Sequence, residues 1–320
     1  VTVSAVIVGA GAIGAWLGDA LDRAGWRVSM VARGATLTAL RNDGLRVTHR
    51  GVTRVSHPHA GSPGELGAHD FVFLTLKAQL LPEIAPTLSP LIGATSLLIS
   101  ATNGIPWWFF HDFGGPLANR SLASVDPYRS QEQTFPRQQI LGAVVHASAR
   151  ALSPANVEVI AADRLILGEP NGDISSRLEA VVKAFRDGGI NALASPRIRH
   201  DVWSKLWGNM NMNPLSALAR SGTAKLLADT DVRMLCIHMM REMEACAALL
   251  GLRSDITPVE RMAITQRLGD FKTSMLADLE AGRALELAPQ LGAVVEIAEL
   301  LDVPAPFSRS ILGLARLLAP

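Results

Sequence analysis

Lys205, Asn209 and Asn213 recur every four residues within RHDVWSKLWGNMNMNPLSALA, residues 199–219, which has the periodicity of one helix. They share a face of that helix apart from the drift of a 3.6-residue turn. A lysine beside carboxamides suits a carbonyl group that is gaining negative charge. The ammonium stabilises the developing oxyanion and then supplies the proton of the alcohol. Burial draws a lysine pKa down toward the working range, and an asparagine N–H adds a second donor to the same oxygen. Three asparagines (209, 211, 213) carry a local helix cost, and Pro214 removes the N–H that would bond Met210, which predicts a kink there. The flanking Trp203, Leu206, Trp207, Met210 and Leu215 predict a largely buried helix and a built site. A solvated polar face is the plainer alternative.

A second set of residues could hold phosphate. Val3 to Val8 is an apolar, β-branched run suited to a buried strand, and it leads directly into Gly9-Ala10-Gly11-Ala12-Ile13-Gly14. Helical spacing follows from Ala12 to Ala24, Gly25 ends it, and Trp26 to Ala32 returns to a strand. In that context G-x-G-x-x-G is the dinucleotide-binding pattern. Gly9 allows the tight turn, Gly11 the approach of a pyrophosphate, and Gly14 close helix–strand packing, while the helix N-terminus offers unpaired N–H groups. The end of the second strand, SMVARG at 29–34, lacks the acid of an NAD site. Arg33 stands where a guanidinium could grip a 2′-phosphate, so NADP (NADPH) is the expected cofactor. Arg33 as a plain loop cation is the alternative.

Around these sets the chain reads as an α/β protein, a Rossmann-type dinucleotide-binding domain over 1–196 followed by an all-α C-terminal domain over 197–320. A helix is predicted over 35–43 and a pair of short strands over 44–57. Buried strands at 71–76 and 95–101 exit into Lys77-Ala78-Gln79 and Thr102-Asn103-Gly104. Ligands bind at such exits in open α/β sheets, which makes Lys77 a candidate cofactor contact and Asn103 a site candidate. Asn103-Gly104 could also be only a turn. Trp107, Trp108, Phe109 and Phe110 fit no period and are expected either at the domain seam or as an apolar pocket wall. Further strands are predicted at 140–148, 157–161, 164–167 and 190–194, with an antiparallel or mixed edge, and a helix at 174–186. Beyond Pro196, helices are predicted at 199–219, 231–250, 258–268, from 273 onward, to Leu301 from near Pro289, and at the end of the chain, with a loop at 221–227. Ser274 could be a plain N-cap, and Glu286 by itself a surface carboxylate.

The composition narrows the class. The 320 residues are 48% hydrophobic and 18% charged, with formal net charge +1, which argues for two packed cores and against a nucleic-acid partner. Cys236 and Cys246 have no metal-ligand spacing and read as core thiols of a reducing compartment. The eight histidines are scattered, so no metal site is expected. With neither a signal-like segment nor a membrane-length apolar run, a soluble cytoplasmic protein is expected.

Taken together, GAGAIG at 9–14, LKAQ at 76–79, NG at 103–104, KLWGNMNMNPLSAL at 205–218, TSMLADLEAGRALE at 273–286 and GAVVEIAE at 292–299 resemble the ketopantoate reductase (2-dehydropantoate 2-reductase) family over essentially the whole chain. The resemblance implies NADPH-dependent reduction of a 2-oxo acid or related ketone, 2-dehydropantoate to pantoate. It makes Lys205 the proton donor, Asn209 and Asn213 substrate amides, and Ser274 a contact for the substrate carboxylate end. Asn103 would bridge nicotinamide and substrate, Glu286 would lie by the cofactor and substrate hydroxyl, and Lys77 and the Ser148 backbone would meet the cofactor. Thr223 stands where some members place a substrate asparagine. Thr102, Leu287-Ala288-Pro289 and Phe271 depart from the usual pattern toward a more apolar rim. That leaves a bulkier ketone, imine or secondary alcohol as the alternative substrate, and a non-catalytic NADP-sensing module as the alternative class. The leucine-rich helical domain is compatible with a homodimer and equally with packing on itself.

Overall fold

A computed structural model describes residues 2–318 of the chain. Two compact units emerge, one of Val1–Thr102 with Arg129–Ile198, the other of Asn103–Tyr128 with Arg199–Pro320. The segment 103–128 thus joins the helices, whereas the sequence reading placed all of 1–196 together.

The first unit runs β1 (Ser4–Val8), α1 (Ala12–Arg23), β2 (Arg27–Val31), α2 (Gly34–Asn42), β3 (Leu45–His49), β4 (Val52–Ser56), β5 (His59–Gly61), α3 (Pro63–Leu66), β6 (His69–Leu74), α4 (Leu81–Ile84), β7 (Ile92–Ser100), α5 (Ser130–Thr134), β8 (Ile140–Ser153), β9 (Asn156–Gly168), α6 (Ser176–Asp187) and β10 (Ala192–Ala194). The strands form one sheet in the order β4-β3-β9-β8-β7-β6-β1-β2-β5, with β10 beside β9. Its centre is parallel: β1 lies between β2 and β6, with Ile7 opposite Met30 on one side and Phe73 on the other. The chain reverses direction across the sheet at β1, so the turn after Val8 opens at a topological switch point. Ile7, Leu17, Leu21, Met30, Phe73, Leu167 and Phe185 form the core against α1 and α6.

The mixed edge is real, with β8 and β9 antiparallel, but two boundaries need correction. The strands expected at 157–161 and 164–167 are one, β9. Ala162 and the exposed Asp163, which separate the two expected strands, lie on one continuous strand. The β8 strand extends to Ser153, so Ser148 lies inside it, where the register against β9 shifts, and not at its end.

The second unit contains α7 (Ile198–Ala219), α8 (Thr223–Ala228), α9 (Thr230–Leu250), α10 (Pro258–Arg267), α11 (Ser274–Glu280), α12 (Ala293–Leu300) and α13 (Pro306–Arg316). The helix α7 runs unbroken through Pro214. The loop expected at 221–227 is corrected to α8. Its N-terminus is capped by Asp270, whose carboxylate accepts from the Ala224 N–H at 2.9 Å, a partner too distant in sequence for a local pattern to reveal. The α11 cap is Thr273, whose Oγ1 accepts from the Leu276 N–H at 3.2 Å, so Ser274 is not the N-cap. A π-helical turn, Ala288–Gly292, precedes α12. The segment 103–128 is tied in by Arg199, which donates to the carbonyls of Phe109 and His111. Glu296 on α12 likewise accepts from the N–H groups of Ala123 and Ser124. Among the described residues no helix is long and apolar enough to cross a membrane.

Candidate active site

In the first unit the three glycines do different physical work. Gly9 sits at φ +108°, where a Cβ would stand 2.8 Å from Leu76 Cδ2. A Cβ on Gly14 would stand 2.1 Å from the Gly9 carbonyl oxygen and 2.6 Å from Thr75 Oγ1. At Gly11 nothing lies within 4 Å of the corresponding point. The first two positions are closed by the protein itself, and the third is open to a ligand. Gly11 also N-caps α1 with no capping side chain, and no acid occupies the first turn, so the helix presents bare N–H groups and uncompensated positive potential. These residues fit a dinucleotide pyrophosphate. Thr75, which the sequence reading missed, locks the turn by donating to the Gly9 carbonyl at 2.8 Å; a hydroxyl at the end of β6 was its only signal.

Arg33 follows β2, caps α2 with its backbone, and is exposed. Its guanidinium makes no hydrogen bond or ion pair among the described residues. Lys77 lies just beyond β6, heading the short helical turn Ala78–Leu80. Ser148 lies within β8, opposite Ala161.

In the second unit, side chains far apart in sequence converge. Lys205 Nζ donates to Asn103 Oδ1 at 2.8 Å, and Asn103 Nδ2 donates to Glu286 Oε2 at 3.2 Å. The Asn103 turn is held by the backbone: Ile105 N–H donates to the Pro289 carbonyl at 2.8 Å. Gly104, at φ +87°, leaves no room for a Cβ, which would fall 2.2 Å from that same oxygen. Asn103-Gly104 is therefore a turn whose amide also joins Lys205 to Glu286. Glu286 is buried, not the surface carboxylate it resembles in isolation. Burial pushes the Lys205 pKa down to about 8, against the opposing pull of Glu286.

One turn along α7, Asn209 is partly exposed and its amide bonds no described residue, leaving it available to a ligand. Asn213 is buried and donates from Nδ2 to Gln290 Oε1 at 2.8 Å. Gln290 sits in the π-helical turn, is 1% exposed, and its Nε2 has no partner among the described residues; the sequence reading passed it over. Thr223 is not brought to this cluster by any bond. Its hydroxyl donates to the Gly269 carbonyl at 3.1 Å and accepts from the Phe271 N–H at 3.0 Å. Ser274 is exposed at the first position of α11. Trp107, Trp108, Phe109 and Phe110 are all buried. Phe109 stacks on Trp203 of α7 with centroids 6.1 Å apart, which packs the segment following Asn103 against the helix that carries Lys205.

A pyrophosphate turn and a desolvated lysine held by an amide are the equipment of a nicotinamide-using oxidoreductase that acts on C=O or CH–OH. Comparison with known proteins narrows that class. The family model for ketopantoate reductase PanE/ApbA matches residues 5–172, and the model for the C-terminal part of ketopantoate reductase PanE/ApbA matches 197–319. The chain belongs to the ketopantoate reductase family. It is 38% identical over 315 residues to the 2-dehydropantoate 2-reductase of Mesorhizobium japonicum, spanning 98% of this chain and 97% of that one. A solved structure from Ralstonia solanacearum MolK2, provisionally named a ketopantoate reductase, is 40% identical with a TM-score of 0.95, covering 100% of this chain and 98% of its own. A D-mandelate dehydrogenase solved with NADH and anilino(oxo)acetate shares the fold at 19% identity and a TM-score of 0.85, covering 99% of this chain and 98% of its own.

Proposed function

We propose that this protein reduces the 2-oxo group of 2-dehydropantoate or a closely related 2-oxo acid to the alcohol, with NADPH as reductant. The observation that carries the reading is the 2.8 Å bond from Lys205 Nζ to Asn103 Oδ1, with Glu286 behind it. Residues 9–14 would hold the pyrophosphate, and the exposed guanidinium of Arg33 would hold the 2′-phosphate that distinguishes NADPH from NADH. NADPH supplies the hydride when bound.

The chain's own residues supply the rest. With a pKa of about 8, Lys205 is an ammonium at neutral pH. Asn103 takes one of its N–H bonds and fixes where the others point. Glu286 accepts from the other end of the Asn103 amide, which sets that amide with oxygen toward the lysine. As charge grows on the substrate oxygen, the ammonium stabilises it and then transfers a proton from Nζ, leaving a neutral amine. Asn209 offers a further N–H to the substrate, and Asn213, turned by Gln290, bounds the site one helical turn on.

Turnover is tested by following NADPH consumption with 2-dehydropantoate, bulkier 2-oxo acids and aryl ketones. Lys205→Ala is expected to lower turnover roughly 100- to 10,000-fold while NADPH still binds. Equal turnover by the variant, or no reduction of any carbonyl compound by the wild type, overturns the reading.

A further inference from the structure

The bare N–H groups that open α1 attract an anion, but each peptide of the turn leading into them also carries a carbonyl oxygen, which repels one. Where the Gly9 carbonyl points therefore matters to a phosphate as much as the N–H groups do. In this chain it points inward. Thr75, the residue after β6, donates to it from Oγ1 at 2.8 Å, and a Cβ on Gly14 would stand 2.1 Å from the same oxygen. The oxygen thus lies in the seam between α1 and the end of β6. No other hydrogen-bond donor reaches it among the described residues. The hydroxyl also lies 3.0 Å from the Val8 carbonyl, but that acceptor is already met by the Thr75 N–H at 3.0 Å. A threonine hydroxyl has one hydrogen to give, and the nearer, otherwise unmet acceptor is that of Gly9.

Residue 9 does not fix that direction by itself. Its φ of +108° calls for glycine, and glycine leaves the peptide that follows it free to rotate. We propose that Thr75 is a positioning residue for the dinucleotide: its hydroxyl holds the Gly9 carbonyl in the α1–β6 seam and keeps a repelling dipole off the pyrophosphate. The inference rests on the dinucleotide-binding reading of residues 9–14. A valine at 75 keeps the shape of the side chain and removes the donor. The Gly9 oxygen is then a buried acceptor without a partner, which is unfavourable, and rotation of the 9–10 peptide out of the seam relieves it. Rotated, the carbonyl competes with the helix N-terminus for the ground a phosphate needs. Thr75 thereby sets affinity for the pyrophosphate through Gly9, with no contact of its own to the cofactor.

The test titrates two ligands into wild type, Thr75→Val, Thr75→Cys and Thr75→Ser. One is NADPH; the other is adenosine 2′-monophosphate, which has the adenine and the 2′-phosphate but no pyrophosphate. The Kd for NADPH is expected to rise roughly 10- to 100-fold in Thr75→Val. A smaller rise is expected in Thr75→Cys, whose thiol is a weak donor, and near-wild-type binding in Thr75→Ser. The Kd for adenosine 2′-monophosphate should stay within about twofold in all three, a contrast that general damage to the fold would erase. Undiminished NADPH binding by Thr75→Val, or an equal loss of both ligands, overturns the proposal. So does a Thr75→Ser variant as weak as Thr75→Val, since the effect would then lie in the methyl group. If Thr75→Val does not fold, Thr75→Cys is judged by the same outcomes. A wild type that binds no NADPH at all ends the dinucleotide reading and the role of Thr75 with it.

Discussion

Lys205 keeps its proton only up to a pH of about 8, because burial disfavours the ammonium more than Glu286 favours it. The folded pKa is lowered, so the charged form is complete well below that value and is lost as pH rises through it. Reduction, which needs the proton, is expected to fall about tenfold per pH unit above the pKa. Oxidation of the alcohol, which needs the neutral amine, is expected to rise over the same range. Glu286→Gln removes an attraction that raises the pKa, and should move the fall in reduction to lower pH. A profile of kcat/KM against pH checks both, and a flat profile from neutral to strongly alkaline pH would contradict them. Arg33 makes a separate prediction. Without its guanidinium the affinity for NADPH should drop roughly 10- to 100-fold, as for loss of a charge-assisted contact, while that for NADH stays unchanged. Titration of both cofactors against Arg33→Ala reads this directly.

At the scale of elements, the glycine turn predicts two unlike outcomes from similar substitutions. Gly14→Ala drives a methyl into the Gly9 carbonyl oxygen and should cost about 3 kcal/mol or more of stability. Gly11→Ala meets only open space, so its stability should change by no more than about 1 kcal/mol, while NADPH affinity collapses. Thermal melts with and without cofactor separate the two. The same turn shows why part of the structure was legible in advance. GAGAIG, its flanking strands and the long periodic α7 are local patterns, and local patterns declare themselves in sequence. The α8 helix was read as loop because its cap comes from Asp270, and β9 was divided because exposed polar residues interrupt its apolar run. Lys205 stood out by its spacing from Asn209 and Asn213. Its bond to Asn103 crosses 102 residues, and neither Asn103 nor Gln290 has a helical or strand period of its own. Their meaning comes from partners on α7 that spacing along the chain does not reveal.

For the molecule as a whole, the helical unit is not a contiguous piece of chain, since it takes in 103–128. A fragment of residues 197–320 would leave Arg199 without the Phe109 and His111 carbonyls, and Glu296 without the N–H groups of 123 and 124. Stranding a buried charge costs about 3–5 kcal/mol, a large share of the roughly 5–15 kcal/mol that holds a domain together. Such a fragment is expected to melt without cooperativity, and a sharp calorimetric transition would refute this. Cys236 and Cys246 complete the picture of that unit. Both lie on α9 with no exposed surface, and burial pushes their thiols up to about 12. An alkylating reagent at neutral pH can therefore reach sulfur only during moments when α9 comes away from its neighbours. The protein carries its own stopwatch for those openings, and the pace of labelling, set against that in urea, measures how rarely the helical unit lets go.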